Sequence, residues 1–116
     1  MKNISIGSDI VEINRFKNFN HKSKLAQNIF TEKEIENCLS KQNPSQSLGG
    51  RFAAKEALIK SLDQKIPFNK IEIINDCNGK PQVTVLDKKI SGTYYFSLSI
   101  SHTSTLAEAV CLSIKK

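Results

Sequence analysis

The chain is poor in the residues that announce whole classes of protein. Its three cysteines, Cys38, Cys77 and Cys111, are odd in number and far apart, so they form neither a disulfide framework nor a zinc-ligand pattern. Free thiols in a reducing cell are the simplest account. No apolar run approaches the ~20 residues that a membrane span requires. The start, Met1-Lys2-Asn3-Ile4-Ser5, carries no signal-peptide core, because Gly7, Ser8 and Asp9 interrupt it at once. The expected compartment is therefore the cytoplasm. No Cys-x-x-Cys, no Walker A loop and no Gly-x-Gly-x-x-Gly is present. There is no internal repeat, low-complexity segment or linker, and 116 residues suffice for a single domain, 1–116, with a real core.

The charge has one dominant sign. Seventeen basic residues against eleven acidic ones leave a formal net charge of +6, which points to an acidic partner: nucleic acid, an anionic cofactor or an acidic protein. The basic residues are scattered, and only Lys88-Lys89 and Lys115-Lys116 are adjacent, whereas nucleic-acid arms carry denser runs.

Proline and internal glycine are also missing from the stretch Arg51 to Leu62, which consists mostly of good helix formers. Phe52, Ala54, Leu58, Ile59 and Leu62 cover most of its circumference, as in a helix buried on several sides. The exception is a strip of Ala53, Glu56, Ala57 and Lys60. Glu56 and Lys60 are four apart and share a face, with two alanines leaving space beside them. The strip is either room for a charged ligand or an ordinary surface ion pair.

Around this helix the chain reads as strand, helices, then four strands. Ile4 to Ile13 alternates as a strand, with Ile4, Ile6 and Ile10 on one face and Gly7, Asp9 and Val11 on the other. Asp9 is either a functional acid inside an apolar strand or a strand-end aspartate facing water. Arg15 to Asn28 holds a short helix and a loop. Thr31 and Glu34 have capping-box spacing ahead of a helix carrying Ile35, Cys38 and Leu39. Glu32, Glu34 and Glu36 read as its solvated face, with a catalytic acid among them as the alternative. Asn43-Pro44-Ser45 is a turn, Pro44 standing near the start of the next helix. Gly49-Gly50 suggests close backbone packing. Ile71–Ile74 and Gln82–Leu86 are strands joined by a turn centred on Asn78-Gly79. Asp87–Thr93 is a connection. Tyr95–Ser101 alternates Phe96, Leu98 and Ile100 with three serines, His102 follows at once, and Ala107–Ile114 closes the chain. The layout is α+β, with a mostly antiparallel sheet packed on a long central helix.

Single residues leave the chemistry open. Two acids on separate elements, Asp9 and Glu56, suit Mg²⁺ completed by waters and phosphates. Ser101 and His102 are strand neighbours facing opposite ways, so they make no nucleophile–base pair alone. The conjunction of motifs says more. Gly7-x-Asp9-Ile10-Val11-Glu12-Ile13-x-Arg15 opens the chain, and Phe30-Thr31-x-x-Glu34 follows. Gly50-Arg51-Phe52-Ala53-Ala54-Lys55-Glu56-Ala57-x-x-Lys60 sits in the middle, then Asn78-Gly79-Lys80-Pro81 and Ser99-Ile100-Ser101-His102-Thr103. In this order the chain resembles the holo-(acyl-carrier-protein) synthases, the small bacterial 4′-phosphopantetheinyl transferases, from Ile6 to about Val110. It departs from them after Lys60, where a glycine-containing loop is usual and Ser61-Leu62-Asp63-Gln64-Lys65 stands instead, and at Gly49, where alanine is common.

The resemblance implies a phosphopantetheinyl transferase-like fold and an enzyme. It would move 4′-phosphopantetheine from coenzyme A to a serine of apo-acyl carrier protein and release adenosine 3′,5′-bisphosphate. By the same resemblance Asp9 and Glu56 hold Mg²⁺ and Lys60 reaches the pyrophosphate. Arg51, Lys80, His102 and Thr103 lie near the nucleotide, and Pro81 lines the adenine site. Arg15, with the lysines of Lys17–Lys24, docks the acidic carrier. The assembly is a homotrimer with cofactor sites between subunits. The serine's base is left open between a metal-activated water and an acid of Glu34–Glu36. The competing readings are a small basic nucleic-acid-binding module, which would not need Asp9 or Glu56, and a family member that binds coenzyme A without transferring.

Overall fold

Alternation in the first strand and in the last two builds one sheet. In the computed structural model, which describes residues 3–116, β1 (Ile4–Glu12), β4 (Tyr94–His102) and β5 (Leu106–Lys115) form an antiparallel sheet in the order β1-β5-β4. Met1 and Lys2, which begin the stretch read for a signal peptide, lie outside the described residues. Asp9 stands opposite Ala109, and Ala109 opposite Ile100, so one level of the sheet links all three strands.

One face of this sheet packs on α3 (Pro44–Lys60), a helix of 17 residues. It starts earlier than its apolar stretch suggests. Asn43 caps it by accepting the Gln46 N–H at 3.3 Å, and Pro44 occupies the first turn, where its missing N–H costs nothing. Ala53, Ala54, Ala57 and Leu58 are fully buried, so the helix is enclosed on several sides. The strip of Ala53 and Ala57 is therefore not open space, as the helical wheel alone suggests. β1 lies across it at Gly7, where a Cβ would overlap the Ala57 carbonyl oxygen and stand 2.9 Å from Lys60 Cβ and Ser61 N. Gly7 is required for this close approach of two backbones. Gly50 serves β4 in a milder way, since a Cβ there would come within 3.1 Å of Ile100 Cγ2.

β1 turns its glycine face inward. Gly7 and Val11 are buried, while Ile6 and Ile10 are 67% and 63% exposed. A 3-10 turn, Ile13–Phe16, leads to α1 (Lys24–Ile29), capped by Ser23, and α2 (Glu32–Leu39), whose Thr31–Glu34 capping box forms as its spacing indicates. Phe16, Phe19, Phe30 and Phe52 pack edge-on or tilted between these elements and α3.

β2 (Ile71–Asn75) and β3 (Pro81–Val85) form a separate two-stranded hairpin rather than part of the main sheet. Its turn places Gly79 at φ 80°, and Asp76 accepts the N–H groups of Asn78 and Lys80 at 2.9 Å each. The segment read as a plain connection holds a short helix, α4 (Lys88–Thr93), started by Asp87, which accepts from Lys89 and Ile90 N–H.

Candidate active site

The first cluster lies where β1 crosses the end of α3. Because Gly7 lets the strand sit on the helix, Asp9 arrives beside Lys60. The Lys60 ammonium stands 3.2 Å from Asp9 Oδ1 and donates to the Ser8 carbonyl at 3.0 Å. The Asp9 carboxylate is 18% exposed against 52% for the Lys60 side chain, so the acid is held and the base is free to follow a ligand. The Glu56–Lys60 surface pair, one of the two readings of the strip, does not form among the described residues. Glu56 lies one turn away, half-buried, and its carboxylate makes no hydrogen bond or ion pair among the described residues. Two carboxylates and a half-exposed ammonium offer oxygen donors to a hard cation and positive charge to a phosphate. No group of three or more His, Cys, Asp and Glu side chains that could hold a metal occurs among the described residues. A cation held by Asp9 and Glu56 would thus need waters or ligand oxygens to complete its shell, as Mg²⁺ ordinarily does.

The second cluster lies on the other side of α3. A cavity of about 300 Å³ is lined by Gly50 and Arg51 from the helix, Gly79 and Pro81 from the hairpin, and Ile100 and His102 from the end of β4. It brings three expected site residues, Arg51, Pro81 and His102, together from three separate elements. Lys41, Gln46 and Asn75 complete its polar wall. These lie outside every motif, and nothing in the sequence marks them. Arg51 is 4% exposed and largely engaged: Nε donates to the Ile73 carbonyl at 2.6 Å and Nη2 to Asn37 Oδ1 at 2.6 Å. Lys80 stands exposed in the hairpin turn beside the cavity, outside its lining. Thr103 also stands outside it, its hydroxyl accepting the Leu106 N–H at 3.0 Å in the β4–β5 turn.

Arg15 is exposed, with its guanidinium carbon 5.1 Å from the centroid of the Phe52 ring and 5.9 Å from that of Phe16. Its charge is thus presented on an aromatic base. Glu34 contradicts its reading as part of a solvated face. It is fully buried against Lys55, with Oε1 2.5 Å from the ammonium, and Oε2 accepts the Ile73 N–H at 2.9 Å. Lys55 also donates to the carbonyls of Ile29 and Phe68. Burial lowers the Lys55 pKa, while Glu34 opposes that shift. A carboxylate so enclosed is a structural anchor, not an acid free to meet a substrate.

Comparison with known proteins gives this arrangement a family. Residues 5–112 match the model of the 4′-phosphopantetheinyl transferase superfamily. The chain belongs to that superfamily. Among curated relatives, the holo-[acyl-carrier-protein] synthase of Chlorobaculum parvum is 43% identical over 115 residues, covering 94% of this chain and 97% of its own. The corresponding protein of Caldicellulosiruptor saccharolyticus is 39% identical over 119 residues, with 97% of each chain covered. Among solved structures, holo-[acyl-carrier-protein] synthase from Neisseria meningitidis superposes with a TM-score of 0.81 at 30% identity, covering 96% of this chain and 98% of that one. The Bacillus anthracis synthase, solved in complex with CoA (3′,5′-ADP), gives 0.79 at 30% identity over 97% and 96% of the two chains. Within the superfamily the chain is a member of the holo-[acyl-carrier-protein] synthases, an enzyme family.

Proposed function

We propose that this chain transfers 4′-phosphopantetheine from coenzyme A to a serine hydroxyl of apo-acyl carrier protein, with Mg²⁺, releasing adenosine 3′,5′-bisphosphate. The observation that carries the reading is the pairing of Asp9 with Lys60 beside an unengaged Glu56, in a chain matched to the family over residues 5–112. The serine oxygen attacks the phosphorus bearing the pantetheine, and the bond to the second phosphate breaks, so the bisphosphate leaves. Asp9 and Glu56 would hold Mg²⁺, which supplies charge neutralisation at the phosphate oxygens when bound. Lys60 adds a second positive charge there and is free to move from Asp9 to the pyrophosphate. The burial of Glu34 favours a water, rather than that acid, as acceptor of the serine proton.

The nucleotide end belongs to the cavity of Arg51, Pro81 and His102, with Lys80 and Thr103 at its margin. Arg51 and Lys60 are nine residues apart on one helix, which puts them about 13 Å apart along the axis and roughly half a turn around it. One coenzyme A cannot easily reach both on a single chain. A ring of identical copies, with the β1 side of one subunit meeting the β4 side of the next, brings the two clusters together. Ile6, Ile10 and Tyr95, all more than 60% exposed on the sheet face turned away from α3, supply apolar surface for that contact. This supports the homotrimer. Arg15 and the lysines after it receive the acidic carrier, and the proposed site of action is the cytoplasm.

The test is mass spectrometry of apo-acyl carrier protein incubated with this protein, coenzyme A and Mg²⁺. The carrier should gain one phosphopantetheine. Asp9→Asn and Glu56→Gln should abolish the gain while circular dichroism stays that of the wild type. Full activity of either variant at limiting Mg²⁺ would remove the metal assignment.

A further inference from the structure

Helices α2 and α3 are joined by two polar rungs. Glu34 and Asn37 stand three apart on α2, and Arg51 and Lys55 four apart on α3, so each pair shares a helix face. Glu34 takes Lys55 as an ion pair. Asn37 takes Arg51, its Oδ1 accepting from Nη2 at 2.6 Å. The other partners of the guanidinium are neutral as well: Nε donates to the Ile73 carbonyl at 2.6 Å, and Nη1 reaches the Ser47 carbonyl at 3.5 Å. Arg51 is 4% exposed, and the ion pairs among the described residues are Lys55–Glu34 and Lys60–Asp9. Its charge is therefore buried without a counter-ion, which is unfavourable for the protein alone. Arg51 also lines the cavity of Pro81 and His102, from which an anion could supply the missing charge.

We infer that Asn37 is a positioning residue for anion binding in that cavity: it fixes the Arg51 guanidinium and, being neutral, leaves the charge for the ligand. The inference rests on the reading of this cavity as the nucleotide end of the donor site, and deepens it. Contacts from β2, from α2 and from the preceding turn of α3 set the guanidinium plane before a ligand arrives. Nη1 and Nη2 carry two hydrogens each, so one on each nitrogen is left for phosphate oxygens. An aspartate at position 37 would accept from Nη2 in the same place, bind it more strongly and cancel its charge. A role confined to joining the two helices favours that carboxylate. A role in presenting Arg51 to an anion favours the amide that is there.

Two variants of the full chain test this, read by melting temperature and by calorimetric affinity for adenosine 3′,5′-bisphosphate. Asn37→Ala removes the acceptor without adding charge, and affinity should fall about tenfold. Asn37→Asp keeps the acceptor and adds the counter-charge. It should melt at or above the wild-type temperature and yet bind the bisphosphate about tenfold more weakly. In the transfer reaction both losses should fall on the Michaelis constant for coenzyme A and leave that for the carrier unchanged. If Asn37 only joins the helices, affinity follows melting temperature in both variants. Asn37→Asp that binds the bisphosphate as tightly as wild type, or that melts below it, overturns the inference. Wild type that binds no bisphosphate defeats the reading of the cavity itself, so the two failures are distinguishable.

Discussion

Glu34 of α2 and Arg51 of α3 hold the two backbone polar groups of a single residue, Ile73: Glu34 Oε2 accepts its N–H at 2.9 Å, and Arg51 Nε donates to its carbonyl at 2.6 Å. Among the described residues the β2–β3 hairpin has no strand on that side, so these side chains satisfy an edge that would otherwise be left unpaired. The hairpin carries Gly79 and Pro81 to the cavity lined by Arg51 and His102, and Glu34 and Arg51 tie it to the two helices.

Loss of one of those charges should be costly. Glu34→Gln leaves Lys55 buried without its counter-charge, a change that typically costs ~3–5 kcal/mol. Chemical denaturation should show a loss of that size. The sign of the pH effect follows from Lys55, whose pKa is already lowered by burial and held up by Glu34. Without Glu34 it falls further, so the unfolded chain binds more protons than the folded one over the alkaline range. The deficit of the variant relative to wild type should then shrink as pH rises. A deficit independent of pH would show that Lys55 keeps its proton by other contacts.

Gly7→Ala tests the crossing that delivers Asp9. The added methyl meets the Ala57 carbonyl and Ser61 N, which are backbone and cannot rotate away. The expected penalty is at least the ~1–3 kcal/mol of ordinary overpacking, or roughly 5–20 °C in melting temperature. Activity should fall further than stability accounts for, because Asp9 and Lys60 are displaced together. An unchanged melting temperature would mean that the strand can lift off the helix without cost.

This crossing also marks the limit of reading along the chain. The helix and the strand before His102 were legible because their apolar periods are internal to each segment. The Thr31–Glu34 box was legible as a cap for the same reason. The partners of those residues were not. Glu34 meets Lys55 21 residues away, so its carboxylate reads as solvated charge, and Lys60 meets Asp9 across 51, so neither segment by itself names the partner. The alanine strip on α3 looked like room for a ligand because a helical wheel cannot see the strand lying on it. Gly7 was the available signal, and its meaning depended on what it touches. The family resemblance names Arg51, Pro81 and His102, which the fold brings to one cavity, yet Lys41, Gln46 and Asn75 belong to no motif and needed the fold to join them.

Substitution of Arg15 tests whether it serves the carrier or the donor. Arg15 stands exposed over Phe52, outside both the Arg51–His102 cavity and the Asp9–Lys60 cluster. Arg15→Glu should raise the Michaelis constant for acyl carrier protein and leave coenzyme A affinity nearly unchanged. Added salt should weaken the wild-type reaction through the same attraction, since the Debye length is ~8 Å at physiological ionic strength. The reverse pattern, a loss of coenzyme A affinity with carrier binding intact, would move Arg15 into the cofactor site.

Substitution of His102 tests which end of the donor it meets. This histidine closes β4, is exposed, and lines the cavity with Arg51 and Pro81, a cavity whose lining does not include Lys60. If it contacts the 3′-phosphate, its partner is a charge that dephospho-coenzyme A lacks. His102→Ala should then impair the reaction with coenzyme A much more than that with dephospho-coenzyme A. A charge-assisted hydrogen bond contributes ~1.5–3 kcal/mol, or roughly ten- to a hundredfold in the ratio of specificity constants. A general base would act on the serine and not on the nucleotide, so both donors would lose rate by the same factor. A histidine that only finishes the strand would lower the melting temperature and leave discrimination untouched. The ratio of kcat/KM for the two donors, measured in wild type and variant, decides among the three: a ratio that holds at its wild-type value removes the 3′-phosphate assignment, and a collapse of ten- to a hundredfold sustains it.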